Sequence, residues 1–506
     1  MADTAQDTAA GMGTRIELCL VSHTNVGKTT LARTLLGQDV GEVRDAAHVT
    51  QEAQSHALLA TPEGDALVLW DTPGLGDSAR LYRRLSRAAN PIGWFLSQVW
   101  DRWTDRPFFL SQQAMRATRD HADVVLYPVN ATEAPAEAGY LEPELKLLAW
   151  MERPVLVLLN QTGLAPAGSG AADDELRRWQ QHLRGVEAVG GVLALDAFAR
   201  CWVHEQAFFD TLGTLVPAPK QAGYERLQRA WQRRNVQCFE ASMHAIAAQL
   251  VAAAGLEQGI EAAQAQPGLL ARLAGTGADT RRERGQQALQ RRVEQGRANT
   301  TRELLRLHGL LGRAEHPFLK RLDQGDLISR APLDPVRAGL GGAIASGAAT
   351  GLAADAATGG LTLGTGALLG ALAGAVAFVA GAEGFNRARG VKEETLRLSD
   401  AALRGLLQDA LLKYLAVAHF GRGRGQFEHD ELPAAWVEQA RLRVDGAGTE
   451  LDALFAALRI GDLDADGARA QLQALAATLA LELLAWLYPE ADIDRVRAAM
   501  QTPVPA

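Results

Sequence analysis

The stretch Ser22-His23-Thr24-Asn25-Val26-Gly27-Lys28-Thr29 decides the fold of this chain. An apolar run at residues 16–21, which predicts a buried strand, precedes it, and a helical pattern at residues 31–36 follows it. The stretch fits the phosphate-binding loop G-x-x-x-x-G-K-[ST], except that Ser22 replaces the first glycine. Backbone N–H groups in such a turn bind anions, helped by the positive end of the following helix. The sequence therefore predicts a nucleoside triphosphate site formed by Thr24, Asn25, Val26, Gly27, Lys28, Thr29 and Thr30.

A second motif supports this site. The apolar run at residues 66–70 ends in Asp71-Thr72-Pro73-Gly74. We expect Lys28 to reach the β and γ phosphates and the Thr29 hydroxyl to hold Mg²⁺, with Asp71 as a second anchor of the metal. Gly74 would offer its N–H group to the γ-phosphate. A chance G-K-T at a helix start, or an ordinary D-T-P-G turn, is the plainer interpretation of either motif alone.

Together, the two motifs resemble those of bacterial GTPases of the translation-factor-related class, especially its Era-like branch. The resemblance covers roughly residues 14–215 and implies that GTP and GDP are the ligands. It implies that Thr50, between the motifs, is the switch I threonine that meets Mg²⁺ and the γ-phosphate, although a lone loop threonine has a plainer explanation. It also implies that Asn25 helps to hold a K⁺ ion, with a loop-stabilising asparagine as the equal alternative. Lys28, Thr50 and Gly74 are then the catalytic residues, and Thr29, Thr50 and Asp71 the metal ligands.

The chain departs from the family pattern at two places. Leu75 stands where many GTPases have a glutamine that orients the attacking water, which implies slow hydrolysis or a water held by other groups. Asn160 and Gln161 follow the apolar run at residues 154–159 at the place of the base-reading motif N-K-x-D, and both are predicted to contact the nucleotide. Gly163 replaces the aspartate that accepts hydrogen bonds from guanine. Selectivity for guanine over adenine therefore stays open.

Strand-like apolar runs lie at residues 16–21, 57–58, 66–70, 124–129, 155–159 and 192–195, and helical patterns separate most of them. This alternation predicts an α/β fold with a mainly parallel sheet covered on both faces. The predicted organisation is a disordered tail (1–14), a P-loop GTPase domain (15–215) with an insertion (78–119), a helical region (216–335), a Gly/Ala-rich hairpin (336–385) and a C-terminal helical region (386–506). The insertion is rich in Trp, Phe and Arg. It is either an extra helical segment packed on the domain, which we favour, or a mobile, partner-facing lid.

The hairpin has an unusual composition. Between Ala338 and Ala382 a single residue, Asp355, is charged, and glycines recur every four residues at Gly366, Gly370 and Gly374. Such glycine spacing lets two helices approach closely, as in membrane proteins. We expect segment 336–385 to associate with membrane lipid. A hairpin buried within a soluble domain is the alternative.

Composition sets the remaining bounds. The net charge of −8 argues against a nucleic-acid partner. The three cysteines predict a reducing compartment without disulfides or a zinc site, and the N-terminus lacks a signal peptide, so we expect a cytoplasmic protein associated with the inner membrane.

The expected function is a GTP-binding switch with slow hydrolysis, coupled to a membrane-associating helical domain. Alternatives are a dynamin-like membrane remodeller that forms homo-oligomers and a nucleotide-binding scaffold that does not hydrolyse.

Overall fold

The fold is described from a computed structural model. It describes residues 13–24, 26–36, 53–97, 105–160, 171–195, 201–259, 276–310, 395–419, 433–489 and 491–501. Asn25, Thr50, Gln161 and segment 336–385 lie outside the described residues, together with the predictions made for them. The chain divides into two compact units, one formed mainly by residues 1–236 and the other mainly by residues 237–417 and 426–484.

The first unit is built on a six-stranded sheet of order β2-β3-β1-β4-β5-β6. Its strands are Arg15–Leu20 (β1), Gln54–Ala60 (β2), Ala66–Asp71 (β3), Val124–Asn130 (β4), Val155–Asn160 (β5) and Val189–Ala194 (β6). β2 pairs with β3 in the antiparallel sense, and every other pair is parallel. β5 is buried along its whole length, as expected for a strand covered on both faces. The predicted α/β class with a mainly parallel sheet is confirmed.

Helices connect these strands and cover the sheet. They are Lys28–Leu36 (α1), Ser78–Leu85 (α2), Pro91–Ser97 (α3), Arg106–His121 (α4), Leu141–Ala149 (α5), Ala171–Leu183 (α6) and Trp202–Leu215 (α7). The long helix Gln221–Ala254 (α8) begins in the first unit, and the helix Ile493–Gln501 (α14) belongs to it.

The predicted insertion, residues 78–119, contains α2, α3 and most of α4. Phe95 and Phe108 are buried in an edge-to-face pair with ring centroids 6.4 Å apart. The Gln112 side-chain amide donates to the Phe95 carbonyl oxygen at 2.8 Å. Since these groups lie in the same core cluster as β1 and β4, the described part of the segment packs on the domain.

The start of α8 is attached to the sheet through the turn between β2 and β3. Asp65 in that turn is buried and accepts two hydrogen bonds from the Arg226 guanidinium, at 2.6 and 2.8 Å. Asp65 also accepts from the Thr14 backbone N–H at 2.8 Å, and the Cβ of a side chain at Gly223 would lie 2.3 Å from Thr14 Cβ. Thr14, which the sequence assigns to the tail, is therefore held in the folded unit.

The second unit is mostly helical, as predicted. Besides the rest of α8 it contains Thr276–Leu307 (α9), Asp400–Ala418 (α10), Ala434–Gly446 (α11), Gly448–Ile460 (α12) and most of Ala465–Leu487 (α13), and the strands Glu257–Gly259 (β7) and Thr395–Arg397 (β8) pair in it. Among the described helices, α13 has the length and apolar composition that could cross a membrane. Its buried stripe, which includes Leu472, Leu479 and Leu483, is equally typical of a helix packed in a soluble core.

Candidate functional site

The described residues of the loop between β1 and α1 suit a phosphate-binding turn. Gly27 adopts φ +85°, a conformation that favours glycine, and its carbonyl oxygen accepts from the Leu31 N–H at 2.9 Å as α1 begins. Ser22, at the place of the first glycine, is fully buried. Its hydroxyl donates to the His23 carbonyl oxygen at 2.8 Å. The serine thus satisfies its own polar group within the turn, which explains why it is tolerated there.

Lys28, Thr29 and Asp71 converge at the carboxyl ends of two neighbouring strands. Leu20, the last residue of β1, pairs in register with Asp71, the last residue of β3. The Thr29 hydroxyl donates to Asp71 Oδ2 at 3.2 Å. Lys28 is buried, and its burial lowers the pKa of the ammonium group, while the negative charges of Asp71 and Glu144 act in the opposite direction. The site therefore places a cation and a carboxylate side by side at the strand ends.

These groups fit a divalent metal. Mg²⁺ prefers hard oxygen ligands such as carboxylates and hydroxyls, and it is commonly bound by one or two carboxylates together with substrate phosphates. Thr29 Oγ1 and Asp71 Oδ2 are oxygens of this kind, 3.2 Å apart. They are the residues of this chain that would hold Mg²⁺. Thr50, the third predicted ligand, lies outside the described residues.

The second motif packs directly on the phosphate-binding loop. A Cβ atom at Gly74 would lie 2.9 Å from Thr24 Cγ2 and 3.3 Å from Lys28 Nζ. The next residue, Leu75, donates its backbone N–H to the Ser22 carbonyl oxygen at 2.9 Å, and its side chain is fully buried in the core. A side chain at position 74 would therefore force Thr24 or Lys28 to shift, which favours glycine there. The Leu75 side chain faces the core and is unsuited to orienting a water.

Asn160 joins the end of β5 to the same loop. Its side-chain amide donates to the Val26 carbonyl oxygen at 2.9 Å, and both groups are buried. Thr30 lies on α1, also buried. The structure thus brings together these predicted site residues: Thr24, Val26, Gly27, Lys28, Thr29, Thr30, Asp71, Gly74 and Asn160. Their roles toward a nucleotide stay predictions.

Sequence reasoning missed a buried carboxylate behind the loop. Glu144 on α5 is fully buried and accepts two hydrogen bonds, one between its Oε1 and His23 Nδ1 at 2.7 Å and one from the Tyr127 hydroxyl to its Oε2 at 2.6 Å. The Tyr140 ring stacks on the His23 ring with centroids 4.4 Å apart. The available signal was the position of Glu144 on the face of α5 that carries Leu141, Leu145 and Leu148, because a carboxylate on an apolar face needs a partner.

Two family models match the chain. Residues 17–161 match the model described as 50S ribosome-binding GTPase, and residues 189–450 match the model described as a domain of unknown function, DUF3482. The first match covers the phosphate-binding loop, the D-T-P-G motif and Asn160. The second begins at β6 and extends through most of the second unit.

Two relatives are similar to less than a third of the chain. The GTPases Der of Geobacillus kaustophilus and Geobacillus thermodenitrificans are each 26% identical to it over 149 residues, which is 29% of this chain and 28% of theirs. The chain therefore spans little more than a quarter of the length of these relatives.

Two solved structures are likewise similar to less than half of the chain. Era of Aquifex aeolicus bound to GDP and AlF4⁻ is 18% identical, with a TM-score of 0.29, and the match covers 40% of this chain and 57% of that one. Era in complex with MgGDPNP and nucleotides of 16S ribosomal RNA is 17% identical, with a TM-score of 0.30, over 45% of this chain and 67% of that one. From the net charge, the sequence predicts that the chain has no nucleic-acid partner, and this stays a prediction.

Proposed function

Because the chain belongs to the family defined by the domain of unknown function DUF3482 and carries a GTP-binding P-loop GTPase domain, we propose that it is a slow GTPase that acts as a nucleotide-controlled switch. The observation that supports this most directly is the convergence of Lys28, Thr29 and Asp71 beside a glycine of the second motif. A triphosphate bound at the loop would meet the Lys28 ammonium and the backbone N–H groups of the turn.

Each residue has a distinct part in this function. Lys28 neutralises phosphate charge in a buried position, where electrostatic attraction is strong. Thr29 and Asp71 hold Mg²⁺, which supplies charge neutralisation at the β- and γ-phosphates when it is bound. Asn160 fixes the Val26 end of the loop. These contacts position a nucleotide, and positioning with charge stabilisation accounts for most of the catalysis of phosphoryl transfer.

Slow hydrolysis follows from Leu75. Its side chain is part of the core, and its backbone is hydrogen-bonded to Ser22. No carboxamide stands at this position to orient a water, so hydrolysis depends on another group, a K⁺ ion near Asn25 or a partner protein. Gly74 lies close to Thr24, since a Cβ there would be 2.9 Å from Thr24 Cγ2, and α2 begins four residues later at Ser78. A change at Gly74 with nucleotide state would reach the surface through α2.

Coupling to a membrane is the remaining part of this function. It is supported by the sequence of segment 336–385, with its glycine spacing and its nearly uncharged composition. We place the protein in the cytoplasm, bound to the inner membrane through this segment. A dynamin-like remodeller would also self-assemble with nucleotide, and a scaffold would bind nucleotide without turnover.

The test is release of phosphate from GTP and from ATP by the full chain, with K⁺ or Na⁺ and with or without liposomes. We expect slow release from GTP that Lys28→Ala abolishes and that Lys146→Ala, an exposed lysine on α5, leaves unchanged. Tight GTP binding without phosphate release under all conditions would favour the scaffold. Lipid-stimulated release with nucleotide-dependent assembly would favour the remodeller. No binding of any purine triphosphate by folded protein would overturn all three.

A further inference from the structure

A row of four arginines lies on the surface immediately after the D-T-P-G motif. Arg80, Arg83 and Arg84 are on α2, and Arg87 is in the turn that follows; we call these four residues the arginine stripe. Their spacing of i, i+3, i+4 and i+7 places them on one side of the helix, and all four are exposed. Residues 78–97 contain these four arginines and no Asp, Glu or Lys. The stripe is thus a concentrated positive charge, about 10 Å long, on an acidic protein.

The opposite side of α2 is apolar and packed. Leu81 and Leu85 are fully buried in the core cluster of the sheet. Aromatic rings hold part of the stripe in place: the Arg80 guanidinium lies 4.7 Å from the centre of the Phe108 ring, and that of Arg84 lies 5.7 Å from the centre of the Trp94 ring. Like charges on one helix face repel each other. Asp105 relieves this repulsion in part, since its Oδ2 lies 3.8 Å from Arg80 Nη2, and an anionic partner would relieve it further.

A pocket of about 450 Å³ adjoins the stripe. Arg84 and Arg87 line one part of it, and Asn90 and the half-buried Trp94 line another, with Ala88 and Ala89 between them. Guanidinium groups beside a partly exposed aromatic ring form a combination that binds single-stranded nucleic acids, because the cations meet phosphates and the flat ring stacks on a base. Arginine suits this task better than lysine, since its planar group both pairs with phosphate and stacks.

We propose that the arginine stripe and the Trp94 pocket bind single-stranded nucleic acid. The net charge of −8 describes the whole chain, whereas binding depends on the local charge of the surface that makes contact. An anionic bilayer fits less well, because the apolar side of α2 is buried in the domain and cannot insert between lipids. An acidic peptide fits less well too, because carboxylates use the cations and leave the ring-lined pocket without a function.

The test is fluorescence anisotropy of a labelled 12-nucleotide single-stranded RNA with the full chain, at 50 and 200 mM KCl and with GDP present throughout. We expect saturable binding that weakens with salt. The triple variant R80Q/R83Q/R87Q should bind at least 10-fold more weakly, with a slope of log affinity against log salt that is smaller by about 2, as expected for three lost phosphate contacts. Trp94→Leu should weaken binding about 5-fold or more, with little change in the salt slope.

The matched control is R177Q/R178Q/R184Q, which removes three exposed arginines on and just after α6 and changes the net charge equally. It should bind as the parent does, and GDP affinity should be unchanged in all variants, which shows that they fold. Absence of saturable RNA binding at 50 mM KCl would refute the inference, and so would equal loss in both triple variants. Stripe-dependent binding to phosphatidylglycerol vesicles or to polyglutamate, without RNA binding, would also refute it.

Discussion

Replacement of Glu144 by alanine tests whether the buried carboxylate holds the phosphate-binding loop. The change removes the acceptor of two short hydrogen bonds, from His23 and from Tyr127, in a fully buried place. The Tyr127 hydroxyl, itself buried, would lose the carboxylate to which it donates. A hydrogen bond to a charged group contributes about 1.5–3 kcal/mol, and breaking a buried network by removing one partner costs about 3–5 kcal/mol. We therefore expect Glu144→Ala to lower the free energy of unfolding by about 3–5 kcal/mol.

Hydrogen exchange measured by mass spectrometry is the suitable assay, because it reports the opening free energy of β4 and α5 separately from that of the second unit. The Glu142→Ala variant is the control, since Glu142 is on the same helix with its side chain 79% exposed. GDP affinity should also fall in Glu144→Ala, because His23 belongs to the loop that we propose binds the phosphates. The reasoning would be refuted if Glu144→Ala and Glu142→Ala differed by less than about 1 kcal/mol and bound GDP equally.

Three further predictions concern single sites. Gly74→Ala should weaken GTP binding in calorimetry by about 1–3 kcal/mol through overpacking against Thr24, whereas Gly139→Ala, where a new Cβ meets nothing within 4 Å, should not. Asn160→Ala should speed the release of a fluorescent GDP analogue in stopped flow by about 5- to 10-fold, since one hydrogen bond to Val26 is lost; an unchanged rate would contradict this. Asp409→Asn should destabilise the second unit at neutral pH by about 2 kcal/mol. Hydrogen exchange measured down to low pH should show that this difference shrinks below about pH 4 and is half lost near pH 3. A difference that does not depend on pH would contradict this prediction.

The pH dependence at Asp409 follows from its neighbours. Arg297 donates to Asp409 Oδ2 at 3.0 Å, and Lys413 Nζ lies 2.9 Å from the same oxygen, all within the core of the second unit. Burial alone would raise the pKa of this carboxyl, but the two cations outweigh it and hold the pKa at about 2. Because the folded pKa lies below the unfolded one, the stabilisation is present above the unfolded value and is lost as pH falls through the folded value.

The strands of the first unit were predictable where they are buried and less so at the edge. Residues 124–129 and 155–159 read as uninterrupted apolar runs, and both form strands with those residues. β2 extends over Gln54–Ala60, but only residues 57–58 stood out in the sequence, because it is an edge strand whose pattern is mostly exposed. In β6, Gly190 and Gly191 interrupt the apolar run, so only its end at residues 192–194 could be recognised.

The sequence identified the motif residues of the site, but not the distant residues that hold these motifs in place. Lys28, Thr29 and Asp71 occupy motif positions whose spacing is fixed by the strand, loop and helix geometry, so the sequence identified them. The contact of His23 with Glu144 joins residues 121 positions apart, and that of Asp65 with Arg226 joins residues 161 positions apart. Neither pair belongs to a local pattern. Such pairs depend on how helices pack against the sheet, which a single sequence does not specify.

The placement of Leu75 has a consequence for protein engineering. Introducing the glutamine that many GTPases carry there would put a polar amide into the core cluster to which Leu75 belongs, at a position that is fully buried. Position 75 can hold either an apolar side chain that packs in the core or a polar one that orients a water, and in this chain it holds the apolar Leu75. Directed evolution toward faster turnover would have to act elsewhere, on a segment supplied from outside the core.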